Sequence, residues 1–268
     1  MDMVVTVSCT GYLVPSLDVH LAGELGLRPD VIRVPITELG CSGGAAAIAL
    51  AHRHLLAFPD HKVLVMAVEL PSLNFQASDR SLDNLTACLV FGDGAGAAVI
   101  GAAEARGLRI MTTASHLVRE TGDLLGFELR DSGFHVVLDR RLPRVLDREL
   151  RPAVERFMAA AGLGSLDFLA AHAGGPRIFD ALESALALPP GALKLSREVF
   201  AAVGNTSSAS IFFILERLIR SLGSRPGEGL GLGLGPGISL ELMHLAWIPS
   251  ENSRNEASTR RERLPVGG

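Results

Sequence analysis

Short apolar runs rich in β-branched residues alternate along this chain with longer segments of helical periodicity, and this alternation constrains the fold most. Strands are predicted at residues 4–8, 31–36, 63–68, 97–100, 108–111, 135–138, 168–172 and 239–247. Helices are predicted at residues 17–25, 43–58, 145–161, 178–186 and 207–222. Strands that alternate with helices in this way indicate a layered α/β fold with largely buried sheets.

The composition excludes several classes of protein. A chain of 268 residues that is 48% hydrophobic can bury a sizeable core, which excludes wholesale disorder. Acidic residues outnumber basic ones by 29 to 25, so no nucleic-acid partner is expected. The N-terminus lacks the pattern of a secretory signal, and no apolar stretch has the length of a membrane span. We therefore predict a cytoplasmic protein without a membrane partner.

The three cysteines, Cys9, Cys41 and Cys88, are far apart in the sequence. They form no CxxC pair and no cluster with histidines at metal-ligand spacing, so neither a disulfide framework nor a metal site is expected.

One pattern occurs twice. Residues 40–45 (GCSGGA) and 204–209 (GNTSSA) each consist of a glycine, a polar residue and a run of small residues that leads into an apolar helix. Small residues let the start of a helix pack closely on its neighbour and leave the polar residue exposed at the turn. The repetition favours two similar halves that face each other.

Cys41 lies between a predicted strand and a predicted helix. The amides and dipole of the helix would lower the pKa of its thiol and stabilise an oxyanion. The alternative is a small buried apolar side chain, for which the flanking glycines would not be needed. Taken alone, the position of Cys41 does not distinguish a nucleophile from a structural cysteine.

Two further residues have settings that suit catalysis. His172 ends a predicted strand before a Gly-Gly turn, where α/β folds place catalytic groups, although a structural histidine is the alternative. Asn205 is either an N-cap or a donor to a substrate carbonyl or enolate. With Cys41 they suggest a site with a thiolate nucleophile, an imidazole partner and an amide that completes an oxyanion hole.

Two glycine-rich segments give weaker signals. Residues 91–96 (FGDGAG) follow a helical stretch and lack the lysine of a P-loop, so they are weak evidence for nucleotide binding. Residues 231–237 (GLGLGPG) are interpreted as a loop whose backbone approaches a ligand, because Pro236 interrupts any helix there.

The sequence resembles the type III polyketide synthases, the chalcone/stilbene synthase family of the thiolase fold, over residues 4–247. The matching motifs are SCTGYLVPSLD, GLRPDV, ELGCSGGAAAI, DNLTACLVFGDGAGAAV, AHAGGPRIFDAL, VGNTSSASIFFIL and GLGPGISLE. The resemblance implies a thiolase-like α/β fold of two similar βαβαβ halves in an α/β/α/β/α arrangement, with the first half incomplete. The halves would be residues 1–105 and 106–248, followed by a disordered tail at 249–268.

The resemblance also implies residue roles. Cys41 matches the acyl-accepting cysteine, and His172 and Asn205 match the catalytic histidine and asparagine. Phe91 matches the gatekeeper phenylalanine, while Asn74 and Val136 fall at the pocket wall. The family's GFGPG loop beside the active site matches Gly233, Leu234, Gly235, Pro236 and Gly237, with Leu234 replacing the phenylalanine.

The implied chemistry is acyl transfer from a coenzyme A thioester to Cys41, followed by decarboxylative condensation with malonyl-CoA to build a polyketide. Neither a metal nor a redox cofactor is needed, and a homodimer is implied. Bacterial members are the most similar, yet naphthalene-forming enzymes tend to carry cysteines where Pro71 and Asn74 stand, which leaves the starter open. A ketoacyl-ACP synthase III is the related alternative, but its histidine lies in an HQAN-like context, unlike the HAGGP found here.

The main departure from the family pattern is that only 40 residues precede Cys41, fewer than in the family. The longer portion would supply a first strand, expected at the centre of the N-terminal sheet, and basic residues for the coenzyme A phosphates. Without that strand we expect two unpaired edges within the sheet. The alternatives are a mis-assigned start, a split or decayed gene, and a non-catalytic or partner-dependent fragment.

Overall fold

The computed structural model describes residues 1–102 and 106–249, which form two four-stranded sheets and a separate hairpin. The first half contains β1 (Met3–Val7), α1 (Leu17–Glu24), β2 (Ile32–Ile36), α2 (Gly43–Ala57), β3 (Val63–Glu69), α3 (Leu82–Val90) and β4 (Gly94–Ile100). The second contains β5 (Gly107–Leu117), β6 (Leu125–Arg130), β7 (Gly133–Leu138), α4 (Leu142–Ala161), β8 (Phe168–Ala171), α5 (Pro176–Leu186), α6 (Lys194–Val203), α7 (Ser210–Ser221), β9 (Gly227–Gly235) and β10 (Ser239–Ile248). Apart from Pro249, the predicted tail lies outside the described residues.

The two sheets repeat one arrangement. In the first, with strand order β2-β1-β3-β4, β1 is parallel to β2 and β3, while β4 is antiparallel to β3. In the second, with order β8-β9-β10-β5, β8 is parallel to β9, and β10 is antiparallel to both of its neighbours. The strands β1, β3 and β4 therefore correspond in order and direction to β8, β9 and β10.

Helix α4 shows how the sequence pattern produces packing. Leu146, Leu150, Val154 and Phe157 recur every three or four positions and are all buried, so one face of this helix covers the core. The helix ends at Gly162, whose φ of 70° is readily adopted only by glycine.

The halves meet where the repeated motif begins its two helices. A Cβ on Gly44 would overlap the backbone carbonyl oxygen of Ser208, and one on Gly43 would lie 3.5 Å from Cβ of Ser208. The small residues at the two turns therefore allow direct contact between the halves, which confirms the prediction that they face each other.

Two expectations about the sheets are wrong. The first sheet has no central gap, because β1 pairs along its length with both β2 and β3.

The glycine-rich segment is a loop only from Pro236 onward, because Gly231, Gly233 and Gly235 belong to β9. A Cβ on Gly231 would lie 2.7 Å from Cε of Met243, so the glycines are needed for close packing rather than for a turn. Strand β6 and helix α6 lie outside every predicted element.

Candidate active site

Cys41 lies in a 3₁₀ turn, Gly40–Ser42, between β2 and α2. Gly40 has a φ of 52°, and a Cβ there would lie 2.5 Å from the ring of Pro236. A glycine at this position therefore lets the turn bring Cys41 to the wall of a cavity of about 550 Å³.

Asn205 is held by backbone and side chain at once. Its amide donates to the carbonyl oxygen of Val90 at 2.8 Å, and its own carbonyl oxygen accepts from the amide of Gly92 at 3.1 Å. Its Oδ1 accepts from the amide of Ser207 at 2.9 Å. The N-cap of the following 3₁₀ turn is Thr206, so this contact spans two residues of a local turn rather than capping the helix. The Asn205 side chain also lowers the pKa of the Cys41 thiol.

His172 directly follows β8 and donates its backbone amide to the carbonyl oxygen of Leu232 at 2.8 Å. The side chain is buried, and its Nδ1 has no hydrogen-bond partner among residues 1–102 and 106–249. Burial lowers the pKa of His172 to about 4. The imidazole is therefore neutral near pH 7 and has a free ring nitrogen.

Strand β9 links the positions of His172 and Cys41. Gly233 follows Leu232, the residue that accepts the His172 amide, and it packs against the start of α2. A Cβ on Gly233 would lie 2.6 Å from the Cβ of Ala45. A side chain on Gly235 would overlap Ser42, the neighbour of Cys41. Both candidate groups therefore pack against the carboxyl end of one strand.

A buried polar network surrounds the thiol. Glu69, at the end of β3, is fully buried and accepts hydrogen bonds from the amide of Cys9 at 3.1 Å and from Oγ1 of Thr10 at 2.7 Å. It also accepts one from the hydroxyl of Ser208. The Sγ of Cys9 lies 3.3 Å from Oγ of Ser207, a residue that lowers the pKa of the Cys41 thiol.

Sequence reasoning gave none of these network residues a role. A signal was nevertheless present, because Glu69 is a carboxylate at the carboxyl end of the apolar run VLVMAVE, and a buried charge is seldom retained without partners.

The expected depression of the Cys41 pKa is wrong. Burial raises the pKa of this thiol to about 11, and the nearby charge of Glu69 raises it further, against hydrogen bonds from Ser207 and Asn205. A thiolate loses its hydration in this setting, and that cost exceeds the stabilisation from the adjacent helix start. Cys41 is therefore a neutral thiol near pH 7.

Some of the predicted pocket residues line the cavity and others do not. Phe91, Asn74, Val136 and Pro236 line it, as do all three cysteines of the chain. Its wall is mostly apolar and is completed by Leu125 and Phe127 of the β6–β7 hairpin. By contrast, Gly233, Leu234 and Gly235 lie within β9 and Gly237 in the turn after it, and among the described residues none of these four lines the cavity.

Comparison with known proteins decides the family. The model of the N-terminal domain of chalcone and stilbene synthases matches residues 1–104, and the model of their C-terminal domain matches residues 109–249. The chain belongs to the chalcone and stilbene synthase family. It is a type III polyketide synthase, an acyltransferase with a thiolase-like fold, as its sequence predicts. The predicted division between residues 105 and 106 stays a prediction.

Individual relatives of this type III polyketide synthase make different products. A 1,3,6,8-tetrahydroxynaphthalene synthase of Streptomyces griseus is 38% identical over 92% of this chain and 67% of its own length. A phloroglucinol synthase of Pseudomonas fluorescens is 32% identical over 91% of this chain and 71% of its own. The crystal structure of the Streptomyces coelicolor tetrahydroxynaphthalene synthase superposes with a TM-score of 0.89 at 36% identity, over 93% of this chain and 72% of that one. The chain thus spans about two thirds of these relatives.

Within residues 1–102 and 106–249, no helix combines the length and the apolar character that a membrane crossing requires.

Proposed function

We propose that this type III polyketide synthase transfers an acyl group from a coenzyme A thioester to Cys41 and extends it with malonyl-CoA. The supporting observation is the position of Cys41 beside Ser207 on the wall of an apolar cavity, with Ser207 and Asn205 both lowering the pKa of its thiol. A reactive group with an amide donor near it, at the edge of a mostly apolar pocket, suits the stabilisation of a tetrahedral oxyanion.

In the first step, the sulfur of Cys41 attacks the thioester carbonyl as its proton passes to the neutral imidazole of His172. The bond between the carbonyl carbon and the coenzyme A sulfur breaks, and the proton leaves with that sulfur. A neutral imidazole suits this role because the thiol is itself protonated near pH 7 and needs a base.

In the second step, malonyl-CoA loses carbon dioxide, and the electron pair of the broken carbon–carbon bond forms an enolate. Asn205 and His172 hold the enolate oxygen. The enolate carbon attacks the acyl-Cys41 thioester, a new carbon–carbon bond forms, and the Cys41 thiolate is released to accept a further chain. No electrons are exchanged with another molecule, so we propose that the reaction needs neither a redox cofactor nor a metal.

We further propose that the protein is a cytoplasmic homodimer. All three cysteines are free, which suits a reducing compartment. Three consecutive large side chains, Tyr12, Leu13 and Val14, are exposed by 77%, 52% and 76% after β1. An apolar run of this kind is typical of a surface that a second subunit covers.

The test is the intact mass of the protein after incubation with a panel of acyl-CoA thioesters. We expect an acyl adduct on the parent and on Cys88→Ala, but none on Cys41→Ala. The Cys88 variant is a matched control because its thiol is exposed on the same cavity. Absence of any adduct on folded parent protein, or an adduct that survives in Cys41→Ala, would refute the proposal.

A further inference from the structure

A second cluster of polar side chains lies where the β6–β7 hairpin meets the segment before α3. Nε2 of His135 lies 2.7 Å from Oγ of Ser132, and Nδ1 lies 3.2 Å from Oδ2 of Asp79. All three residues belong to the described part of the chain, and none of them lines the cavity that holds Cys41. His135 and Val136 are neighbours on β7, so their side chains point to opposite faces of the hairpin, and Val136 is the one that lines the cavity.

The chemistry of the three side chains fixes the direction of their two hydrogen bonds. A carboxylate can only accept, so Nδ1 of His135 carries a proton and donates to Asp79. In a neutral imidazole Nε2 then has a free electron pair, which accepts a hydrogen bond from the hydroxyl of Ser132. The amide of Ser81 donates to Oδ1 of Asp79 at 2.8 Å and lowers the pKa of this carboxyl, so Asp79 is charged near pH 7. Serine, neutral imidazole and carboxylate in this order form the arrangement that activates the serine nucleophile of hydrolases.

The exposure of the three residues suits this chemistry. Ser132 is exposed in the turn between Arg130, the last residue of β6, and Gly133, the first of β7. The side chain of His135 is only 10% exposed, and that of Asp79 is 22% exposed. Water therefore competes weakly for the bond between imidazole and carboxylate, while a substrate can reach the hydroxyl.

Two amide side chains hold the cluster together. Nε2 of Gln76 donates to the carbonyl oxygens of Ser132 and Phe134, at 3.3 Å and 3.2 Å. Nδ2 of the buried Asn84 donates to the carbonyl oxygens of Gln76 and Asp79, at 2.9 Å and 2.8 Å. The turn that carries Ser132 and the segment that carries Asp79 are therefore fixed to each other through Gln76. The three groups are positioned before a substrate arrives, as a site of reaction requires.

We propose that Ser132 is a second nucleophile of this protein, which hydrolyses esters of carboxylic acids. Its Oγ attacks the carbonyl carbon of the ester as its proton passes to Nε2 of His135. The bond between the carbonyl carbon and the alcohol oxygen breaks, and the alcohol leaves with this proton. Water then attacks the acyl group on Ser132, His135 transfers a proton of the water to Oγ, and the carboxylic acid is released. The exposed turn favours small acyl groups, because a long acyl chain would bury little apolar surface there.

The test uses a fluorophosphonate, a reagent that labels a serine whose hydroxyl is activated by an adjacent base. Every sample is the full chain with Cys41→Ala, so that the other nucleophile does not react. Oγ of Ser132 displaces fluoride from phosphorus, and its proton passes through His135 to the solvent. We expect peptide mass mapping to show labelling of Ser132 roughly tenfold or more faster than that of Ser72. Ser72 is the internal control, because it is also exposed and its hydroxyl hydrogen-bonds the carboxylate of Asp93 directly.

Two variants separate activation from simple exposure. His135→Gln and Asp79→Asn should each slow the labelling of Ser132 by roughly tenfold or more. Asp79→Asn needs no buried side chain to be replaced, and it keeps an oxygen that accepts from the amide of Ser81. Its NH₂ group would donate to Nδ1 of His135 and so leave the proton on Nε2, which could then no longer accept from Ser132. The melting temperature of this variant should therefore stay close to that of the chain with Cys41→Ala alone.

Hydrolysis of p-nitrophenyl acetate measures turnover in the same Cys41→Ala background. We expect release of p-nitrophenolate roughly tenfold or more faster than from the chain that also carries Ser132→Ala. Labelling of Ser132 no faster than that of Ser72, or labelling that Asp79→Asn leaves unchanged, would overturn the assignment of the nucleophile. Labelling without this difference in hydrolysis would overturn the esterase activity. All of these results are independent of acyl transfer to Cys41, which is tested with coenzyme A thioesters.

Discussion

The backbone amide of Asn205 donates a hydrogen bond of 2.8 Å to the carbonyl oxygen of Val90. This bond joins the second half of the chain to the end of α3, one residue before Phe91 on the cavity wall. The Asn205 side chain, which lowers the pKa of the Cys41 thiol, and the Phe91 ring on the cavity wall are therefore positioned by one short connection. A disturbance of the connection should affect catalysis and substrate access together.

Gly204→Ala tests this connection. Gly204 has a φ of 71°, and a Cβ there would lie 2.9 Å from the carbonyl oxygen of Val90. We expect a loss of about 1–3 kcal/mol in the free energy of unfolding and a fall in kcat for malonyl-CoA condensation. Denaturant unfolding and steady-state kinetics check both. Gly122→Ala, where a Cβ would meet nothing within 4 Å, is the control, and equal effects of the two changes would contradict the argument.

Glu69→Gln should change the pKa of the Cys41 thiol, although Glu69 makes no hydrogen bond to it. The charge of Glu69 raises the pKa of the Cys41 thiol, so its removal should shift that pKa back toward the ordinary value. Alkylation of Cys41 at a series of pH values, followed by peptide mass mapping, measures the pKa. The variant should also lose about 1–3 kcal/mol of stability, because the buried hydroxyls of Thr10 and Ser208 and the part-buried amide of Cys9 lose a carboxylate acceptor. An unchanged Cys41 profile would show that the charge has no influence there.

The order of helices and strands could be predicted because most elements carry their own period. Leu146, Leu150 and Val154 mark α4 without any knowledge of its neighbours. Strand β9 could not be predicted, because its glycines resemble a loop and only the close approach of Met243 and Ser42 explains them. The central gap was predicted wrongly because strand order depends on long-range pairing, which local sequence does not encode.

The candidate site also combines features that the sequence predicts with features that depend on packing between distant residues. Cys41, His172 and Asn205 could be found from their positions at turns and from the family motifs. The raised pKa of Cys41 could not be predicted, because it depends on burial and on the charge of Glu69. The two residues are far apart in the sequence but close in the fold. The position of Leu234 within β9, away from the cavity wall, likewise depends on pairing with β8 and β10.

Val136→Phe should shorten the longest acyl chain that the cavity accepts. Val136 lines the cavity from β7, and a larger side chain would occupy part of its 550 Å³. Neighbouring side chains of a strand point to opposite faces, so Val137→Phe is a matched control. The measurement is the acylation of Cys41 across a series of acyl-CoA chain lengths. We expect the acylation of Cys41 by the longest accepted chains to fall tenfold or more in the Val136 variant and to stay unchanged in the Val137 variant. If parent and Val136 variant accept the same longest chain, Val136 does not limit the length of the cavity.

The neutral state of His172 should make the protein sensitive to acid. The pKa of this group is about 4 in the folded chain and 6.5 when exposed, so between these values only the unfolded chain binds the proton. Stability from this source is complete above pH 6.5 and is lost as the pH falls toward 4, by at most about 3 kcal/mol.

His172→Gln removes the titrating group, so its free energy of unfolding should fall less between pH 7 and pH 4 than that of the parent. His20→Gln, at an exposed position, should keep the slope of the parent. Urea unfolding at each pH gives the slopes. Parallel curves for the parent and the His172 variant would mean that the imidazole is solvated in the folded protein, and the role of His172 as a neutral base would then lose its physical ground.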